Sequence, residues 1–232
     1  MGKSIISQAR GKGSLTYQAR KKAFIYRIGY PPVQEGEAEI FKIVHSAGHT
    51  SPLMKLKINK EIFYNPAFNG AYVGQKISFT SKPEEGNIVA LKYIPVGTNI
   101  YNIEINPGDG GKMIRTSGSS AIITKKLPNN KISLLMPNKK EKIINWDCRA
   151  TIGTIAGAGR TEKPFIKAGK KFYKMKARNK LWPRTSAVKV NAVDHPFGSG
   201  RGKRIKSKIA KRNAPAGARV GHIRPRRTGR RK

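Results

Sequence analysis

MKLKINKEIFY, residues 54–64, alternates apolar and polar side chains through Met54, Leu56 and Ile58, breaks at Asn59-Lys60, and resumes as Glu61-Ile62-Phe63-Tyr64. Alternation with period two puts one set of side chains on a buried face, and a two-residue break between two such runs is hairpin spacing. Outward from this hairpin, Ala38 to Ser46 forms a mostly apolar run on one side. On the other lie Gln75 to Thr80 and Asn87 to Ile94, divided by the turn-rich Lys82-Pro83-Glu84-Glu85-Gly86-Asn87. Short strands joined by turns, with no long helical pattern among them, favour a small closed barrel over a sandwich with exposed edges. The reading is a mainly β chain whose first barrel ends near Ile105.

Asn106-Pro107-Gly108-Asp109-Gly110-Gly111 interrupts regular structure, since proline and clustered glycines break strands and permit left-handed backbone. A second strand set follows: Ser119 to Leu127, Lys131 to Met136, Lys142 to Trp146 and Ala150 to Ile155, with turns at Pro128-Asn129-Asn130 and Pro137-Asn138-Lys139. These strands predict a second small barrel. Only Pro164 to Ala177 has helical spacing, with Phe165, Ala168, Phe172 and Met175 on one stripe and lysines opposite. The expected organisation is a basic arm over 1–30, a barrel over 31–105, a second barrel over 106–163, and a short helix with a basic extension over 164–232.

Charge sharpens this division. The 232 residues hold 48 Lys and Arg against 12 Asp and Glu, a formal net charge of +36. Such self-repulsion calls for a polyanionic partner, and 38% hydrophobic residues suffice for small cores but not for one large one. Residues 1–30 carry seven basic and no acidic residues, 31–162 carry 17 and 11, and 163–232 carry 24 and one. From Arg201 onward the chain has no acid, few large apolar groups and repeated Gly and Pro, a composition that cannot bury enough surface to fold alone. The single cysteine, Cys148, predicts neither an intramolecular disulfide nor a thiolate metal site, and so an intracellular chain. There is no apolar run of membrane-spanning length and no signal-peptide pattern at MGKSIISQARGKG, and Ile6 stands where a myristoylation motif needs Ser or Thr. The expectation is a cytoplasmic protein with no membrane partner.

Several constellations invite a chemical reading and fail it. His45 and His49 sit four apart without a third ligand of suitable spacing, so no metal is assigned. Gly198-Ser199-Gly200-Arg201-Gly202-Lys203 misses the phosphate-loop spacing, and Gly157-Ala158-Gly159-Arg160 lacks the third glycine of a dinucleotide fingerprint, so neither ATP nor NAD nor another small-molecule substrate is expected. Asp194 beside His195 has the residue types of an orienter and a general base. Adjacent side chains diverge from the backbone, however, and the reading adopted is a rigid loop with Asp194 on local amides and His195 against a base or phosphate. Lysines with aromatics among them, at Lys170-Lys171-Phe172-Tyr173-Lys174 and Leu181-Trp182-Pro183-Arg184, suit phosphate pairing and stacking on exposed bases. No recognition helix for duplex DNA is readable, and barrels with stacking aromatics favour RNA. A general nucleic-acid chaperone is the alternative suggested by the basic tail alone.

Three motifs in order, Asn106-Pro107-Gly108-Asp109-Gly110-Gly111, Asp147-Cys148-Arg149-Ala150-Thr151-Ile152-Gly153 and Asn191-Ala192-Val193-Asp194-His195-Pro196-Phe197-Gly198, resemble signatures of the universal large-subunit ribosomal protein "L-two" family across essentially the whole chain. The start MGKSIISQARGKGSLTY looks like the archaeal and eukaryotic branch, and Phe197 stands where bacterial members usually have a second His. The resemblance implies an OB-like barrel followed by an SH3-like barrel, with both extensions threaded into RNA. It implies a structural constituent of the large ribosomal subunit and a primary binder of its RNA. It further implies support for subunit association, tRNA binding and the architecture of the peptidyl-transferase centre, with small-subunit RNA and other large-subunit proteins as partners. The expected RNA contacts are Arg10, Lys12, Arg20, Lys21 and Lys22 at the start and Lys112, Arg115 and Arg149 in the second barrel. Around the helix they are Lys170, Lys171, Lys174, Lys176, Arg178, Trp182 and Arg184, and beyond it His195, Arg201, Lys203, Arg204, Lys206, Lys208 and Arg212. No catalytic residue is assigned, since a direct part for His195 in peptide-bond formation is a weaker reading than RNA support, and no cofactor is expected beyond magnesium associated with the RNA.

Overall fold

A computed structural model describes residues 2–18, 20–32, 36–59, 61–79, 82–201 and 209–223. It divides into two compact units, Arg20–Lys167 and the pair of segments Met1–Ala19 with Ala168–Lys232. In the larger unit, β1 (Glu37–Val44), β2 (Leu53–Ile58), β3 (Glu61–Pro66) and β4 (Lys76–Ser78) form an antiparallel sheet of order β3-β2-β1-β4. The hairpin has the register its alternation predicts: Leu56 lies opposite Phe63 and Ile58 opposite Glu61, with Met54, Leu56 and Ile58 buried. Asn59 accepts the left-handed backbone at the turn, which a short polar side chain tolerates. A bulge between Ile40 and Lys42 leaves Phe41 exposed, with Lys55 Nζ 5.2 Å from its ring.

The second sheet holds β5 (Ile88–Ala90), β6 (Asn99–Tyr101), β7 (Ala121–Leu127), β8 (Lys131–Leu135), β9 (Glu141–Asn145) and β10 (Arg149–Ile152), in the order β5-β10-β6-β7-β8-β9. This corrects the sequence reading at two places. Residues 87–94, grouped there with the first strand set, supply a three-residue strand paired with β10, followed by a 3-10 turn at Leu91–Tyr93; Asn99–Tyr101, unmarked by any alternation, is a strand between β10 and β7. The physical reason lies in the cores. Ile88 and Tyr101 pack into the core under the first sheet, while their neighbours Val89 and Ile100 pack into that under the second. A strand buried on both faces carries no polar alternate, and its composition does not tell which sheet it joins. The glycine-rich break at 106–111 therefore follows two strands of the second sheet rather than preceding all of them.

A buried polar chain also joins the two cores. Tyr30 Oη donates to Asn102 O at 2.6 Å and lies 2.8 Å from Thr151 Oγ1; Asn65 Nδ2 donates to Thr151 Oγ1 at 2.9 Å and Asn102 Nδ2 to Asn65 Oδ1 at 2.7 Å. Tyr101 Oη donates to Pro66 O at 2.9 Å. Burial costs a polar group its water, so a satisfied network of this kind fixes one arrangement of the strands that carry it.

In the other unit, α1 (Ile6–Ala9) is a single turn and α2 (Ala168–Ala177) is the predicted helix, starting one turn later than Pro164 and leaving Phe165 outside it. None of its residues is buried, so the predicted stripe is not a core face among the described residues. Among the described residues of the tail from Arg201, β11 (Ile209–Ala210) and β12 (His222–Ile223) form a two-residue parallel pair. No helix among the described residues is long and apolar enough to cross a membrane.

Candidate nucleic-acid interface

Of the three cations expected to meet RNA from the second barrel, the two arginines are bonded within the protein. Glu104 is fully buried, and its carboxylate accepts from Arg149 N at 2.8 Å, Arg149 Nε at 3.1 Å and Arg149 Nη2 at 2.9 Å, as well as from Gly108 N at 3.2 Å and Gly110 N at 3.0 Å. Arg149 Nη1 donates to Pro31 O at 3.0 Å and the guanidinium lies over the Tyr30 ring. Arg115 donates through Nε to Asn102 Oδ1 at 2.7 Å and through Nη2 to Ile28 O and Gly111 O. The two arginines, read from sequence as phosphate partners, thus brace the 106–111 turn from within. Sequence inspection misses this because the partners, Glu104 and Asn102, are distant in the chain from Arg149 or carry no charge. Gly111 completes the packing: at its φ of +78° an added Cβ would collide with Asn102 O. Lys112 is the most exposed of the three and lies 3.4 Å from Asp109.

Asp109 closes the turn on itself. Burial opposes its ionisation, but backbone N–H groups of Asn106, Ile105 and Gly111 with the Lys112 ammonium outweigh that and hold its carboxyl below the usual value. A folded-state pKa below the unfolded one means the unfolded chain binds more protons at acid pH, so this stabilisation is complete above the unfolded carboxylate value of about 3.9 and is lost as pH falls through the folded one. The urea midpoint of Asp109→Asn is expected to lie below that of the parent at pH 6 and to converge with it as the pH is lowered through that range. A gap that stays constant would show that the charge contributes nothing. Two other sequence features resolve structurally: His49 Nδ1 lies 2.7 Å from Ser46 Oγ, and burial and Arg115 lower its pKa. Burial, with Glu104 and other acids nearby, pushes the Cys148 thiol up to about 12, which leaves it unreactive.

Toward the chain ends the cations face outward. Arg10 and Lys12 occupy a 3-10 turn, Lys21 and Lys22 another just after Arg20, and all five are exposed. On α2, Lys170 and Lys176 are exposed and Lys171 and Lys174 half-buried; Lys171 Nζ lies 5.4 Å from the Trp182 ring and Lys176 Nζ 5.6 Å from Phe172, beside a Tyr173 that is 69% exposed. Arg184, Arg201 and Arg212 are exposed and Arg178 is half-buried. Lys203, Arg204, Lys206 and Lys208 lie outside the described residues. A cation above an aromatic ring and an exposed ring beside it present charge and a stacking face together, which is what unpaired RNA bases on a phosphate chain require.

The loop at 191–201 is held by its own backbone. Asp194 N and His195 N donate to Asn191 O at 3.0 and 3.3 Å, Gly198 N to His195 O at 2.8 Å, and Ser199 N to Val190 O at 3.0 Å. His195 Nδ1 accepts from Phe197 N at 3.0 Å, with the two rings 5.2 Å apart. Asp194 is 3.7 Å from Lys3 Nζ, and Lys3 N donates to Val193 O at 2.7 Å. Gly198 is demanded by closeness: a Cβ there would collide with Asn191 O and stand 2.7 Å from Val190 O, both main-chain atoms that cannot rotate away. Gly198→Ala is expected to cost the loop about 1–3 kcal/mol as overpacking. Amide hydrogen exchange reads this directly, with protection at Gly198 and Ser199 falling by about one to two orders of magnitude; unchanged protection would refute the close approach.

A two-core β body whose inner arginines serve the fold, joined to segments at both ends of the chain whose cations and rings stand in solvent, has the features of a nucleic-acid-binding scaffold protein. Residues 84–217, beginning just before β5, match the family model described as Ribosomal Proteins L2, C-terminal domain. The chain is 44% identical to the large ribosomal subunit protein uL2 of Hyperthermus butylicus over all of both chains, and 44% identical to that of Archaeoglobus fulgidus over 99% of each. It is 41% identical to that of Korarchaeum cryptofilum, over all of this chain and 97% of the other. The chain belongs to the L2 family of ribosomal proteins, in its archaeal form.

Proposed function

We propose that the chain is a structural constituent of the large ribosomal subunit, a primary binder of its ribosomal RNA, and a component of cytoplasmic ribosomes in translation. The observation that carries this is the segregation of charge: the exposed cations at the chain ends have a single acidic residue, Asp194, among the last 70 residues, whereas Arg149 in the body is matched by the buried Glu104. Unmatched cations on segments with little core of their own are stabilised by phosphates. The same reading extends to small-subunit RNA at the subunit interface, to neighbouring large-subunit proteins, and to support of subunit association, tRNA binding and the peptidyl-transferase centre, with any magnesium belonging to the RNA.

The reading is structural rather than catalytic. With Nδ1 accepting the Phe197 N–H, a neutral His195 carries its proton on Nε2, and the Asp194 carboxylate lies with Lys3, where it does not orient the imidazole as a triad carboxylate would. His195→Ala ribosomes assembled to normal occupancy are expected to form peptide bonds at the parent single-turnover rate; a loss of orders of magnitude would make His195 a participant. The ribosomal assignment itself is tested by fractionation. The chain should sediment with large subunits after a high-salt wash, and its spread over other RNA fractions would favour a free nucleic-acid chaperone instead.

A further inference from the structure

The β7–β9 hairpins carry a feature that none of the expected RNA contacts uses. Between the β7–β8 turn and β9 lies a shallow cleft of about 310 Å³ lined by Asn129, Asn130, Lys131, Ile143, Ile144 and Asn145. Its upper wall is the turn Pro128–Asn130, closed by the Leu127–Lys131 pair and held from outside by Trp146 N donating to Asn130 O at 3.0 Å. Asn129 and Asn130 both have left-handed backbone, at φ of 63° and 57°, and neither side-chain amide meets a protein partner among the described residues. Asn145 Oδ1 accepts from Asp147 N at 3.1 Å, and its amino group remains a donor. Ile143, 57% exposed, offers an apolar floor.

The hairpins that carry this cleft hold charge of mostly one sign. Residues 125–142 contain six lysines and one acid. The acid, Glu141, accepts from Ser133 Oγ at 2.9 Å, and nearby Asp147 is paired with Lys92. Lys126 and Lys142 have protein acceptors, while Lys125, Lys131, Lys139 and Lys140 are exposed and have no protein partner among the described residues.

We propose that this cleft takes one unstacked nucleotide of the RNA, its base lying on Ile143 with its edge read by the Asn129 and Asn130 amides and its flanking phosphates paired with Lys131 and Lys125. The proposal rests on the RNA-binding reading above and adds a site of base recognition to it. An amide offers a donor and an acceptor together, the pattern a base edge presents, and the unpartnered lysines supply the phosphate term. The cleft is too open to enclose a free metabolite, and a protein segment would need several carboxylates to match the lysines.

The test maps base reactivity, nucleotide by nucleotide, on large-subunit ribosomal RNA bound by the full chain. In the double variant Asn129→Gly/Asn130→Gly the turn is kept, because glycine takes positive φ freely, and only the amides are removed. One unpaired nucleotide protected by the parent should regain full reactivity in this variant while protections elsewhere persist, and affinity should fall by about tenfold, within the range for loss of one base contact. Ile143→Ala, at an exposed position that folding does not depend on, should expose the same nucleotide. Identical maps for parent and variants overturn the cleft while leaving RNA binding intact, and so does a crosslink from this turn to a protein instead of RNA in assembled subunits. A parent that protects no nucleotide overturns the ribosomal reading and the cleft together.

Discussion

Raising monovalent salt from about 50 to about 200 mM is expected to weaken binding of the chain to large-subunit ribosomal RNA by about 10³- to 10⁵-fold, the range for six to ten phosphate contacts. Each phosphate neutralised releases a fraction of a condensed counterion, so log K falls with log salt by about 0.7 to 0.9 per contact. The exposed cations at the two ends, Arg10, Lys12, Lys21, Lys22, Arg184, Arg201 and Arg212 among them, are more than enough to supply that number. Their individual removal should lower the slope by about one contact each. Arg149 behaves differently: its guanidinium is matched by Glu104, so Arg149→Met should damage the fold and leave the slope unchanged among molecules that remain folded. A slope near that of a single contact in the parent would refute a phosphate-dominated interface. The measurement is a filter-binding or fluorescence titration at four or five salt concentrations.

Glu104→Ala should be the most destabilising single change in the β body, costing about 3–5 kcal/mol, as measured when one partner of a buried ion pair is removed. Glu104 is entirely out of solvent and the Arg149 side chain only 14% exposed, so the substitution leaves a guanidinium with no counter-charge and strips the Gly108 and Gly110 amides of their acceptor. A domain of this size has about 5–15 kcal/mol in all, so a large share of its stability disappears. Glu104→Gln keeps an acceptor and should fall between parent and alanine. Replacing both partners, as Glu104→Leu with Arg149→Met, should recover part of the loss, because the isolated charge is what costs most. Urea midpoints of the four proteins decide this; a change below about 1 kcal/mol for Glu104→Ala would place the pair among surface bridges of little weight.

Much of the architecture was legible from residues 54–64 and the strands around them, since burial on one face imposes alternation on neighbouring residues. The helix at 168–177 was legible too, although the sequence reading starts it about a turn early at Pro164, and among the described residues no core covers its apolar stripe. Strands β5 and β6 were illegible for a definite reason: Ile88 and Val89, like Ile100 and Tyr101, serve different cores on their two faces, and such a strand resembles any short apolar run. Of the interface, the terminal cations were readable as charge without a counter-charge in the same stretch of chain. The inward turn of Arg115 and Arg149 was not, nor was the pairing of Asp194 with Lys3 in preference to His195.

Periodicity and composition are local properties, and they suffice to establish that the chain is mainly β, that its charge is gathered at its ends, and that its partner is a polyanion. Tertiary structure alone decided which strands share a sheet, which arginines face solvent, and how the 106–111 turn is held. Glu104 and Arg149 are 45 residues apart and Tyr30 and Thr151 are 121 apart. A guanidinium looks the same in sequence whether its counter-charge is a phosphate or a buried carboxylate, and only the folded distance between the two distinguishes them.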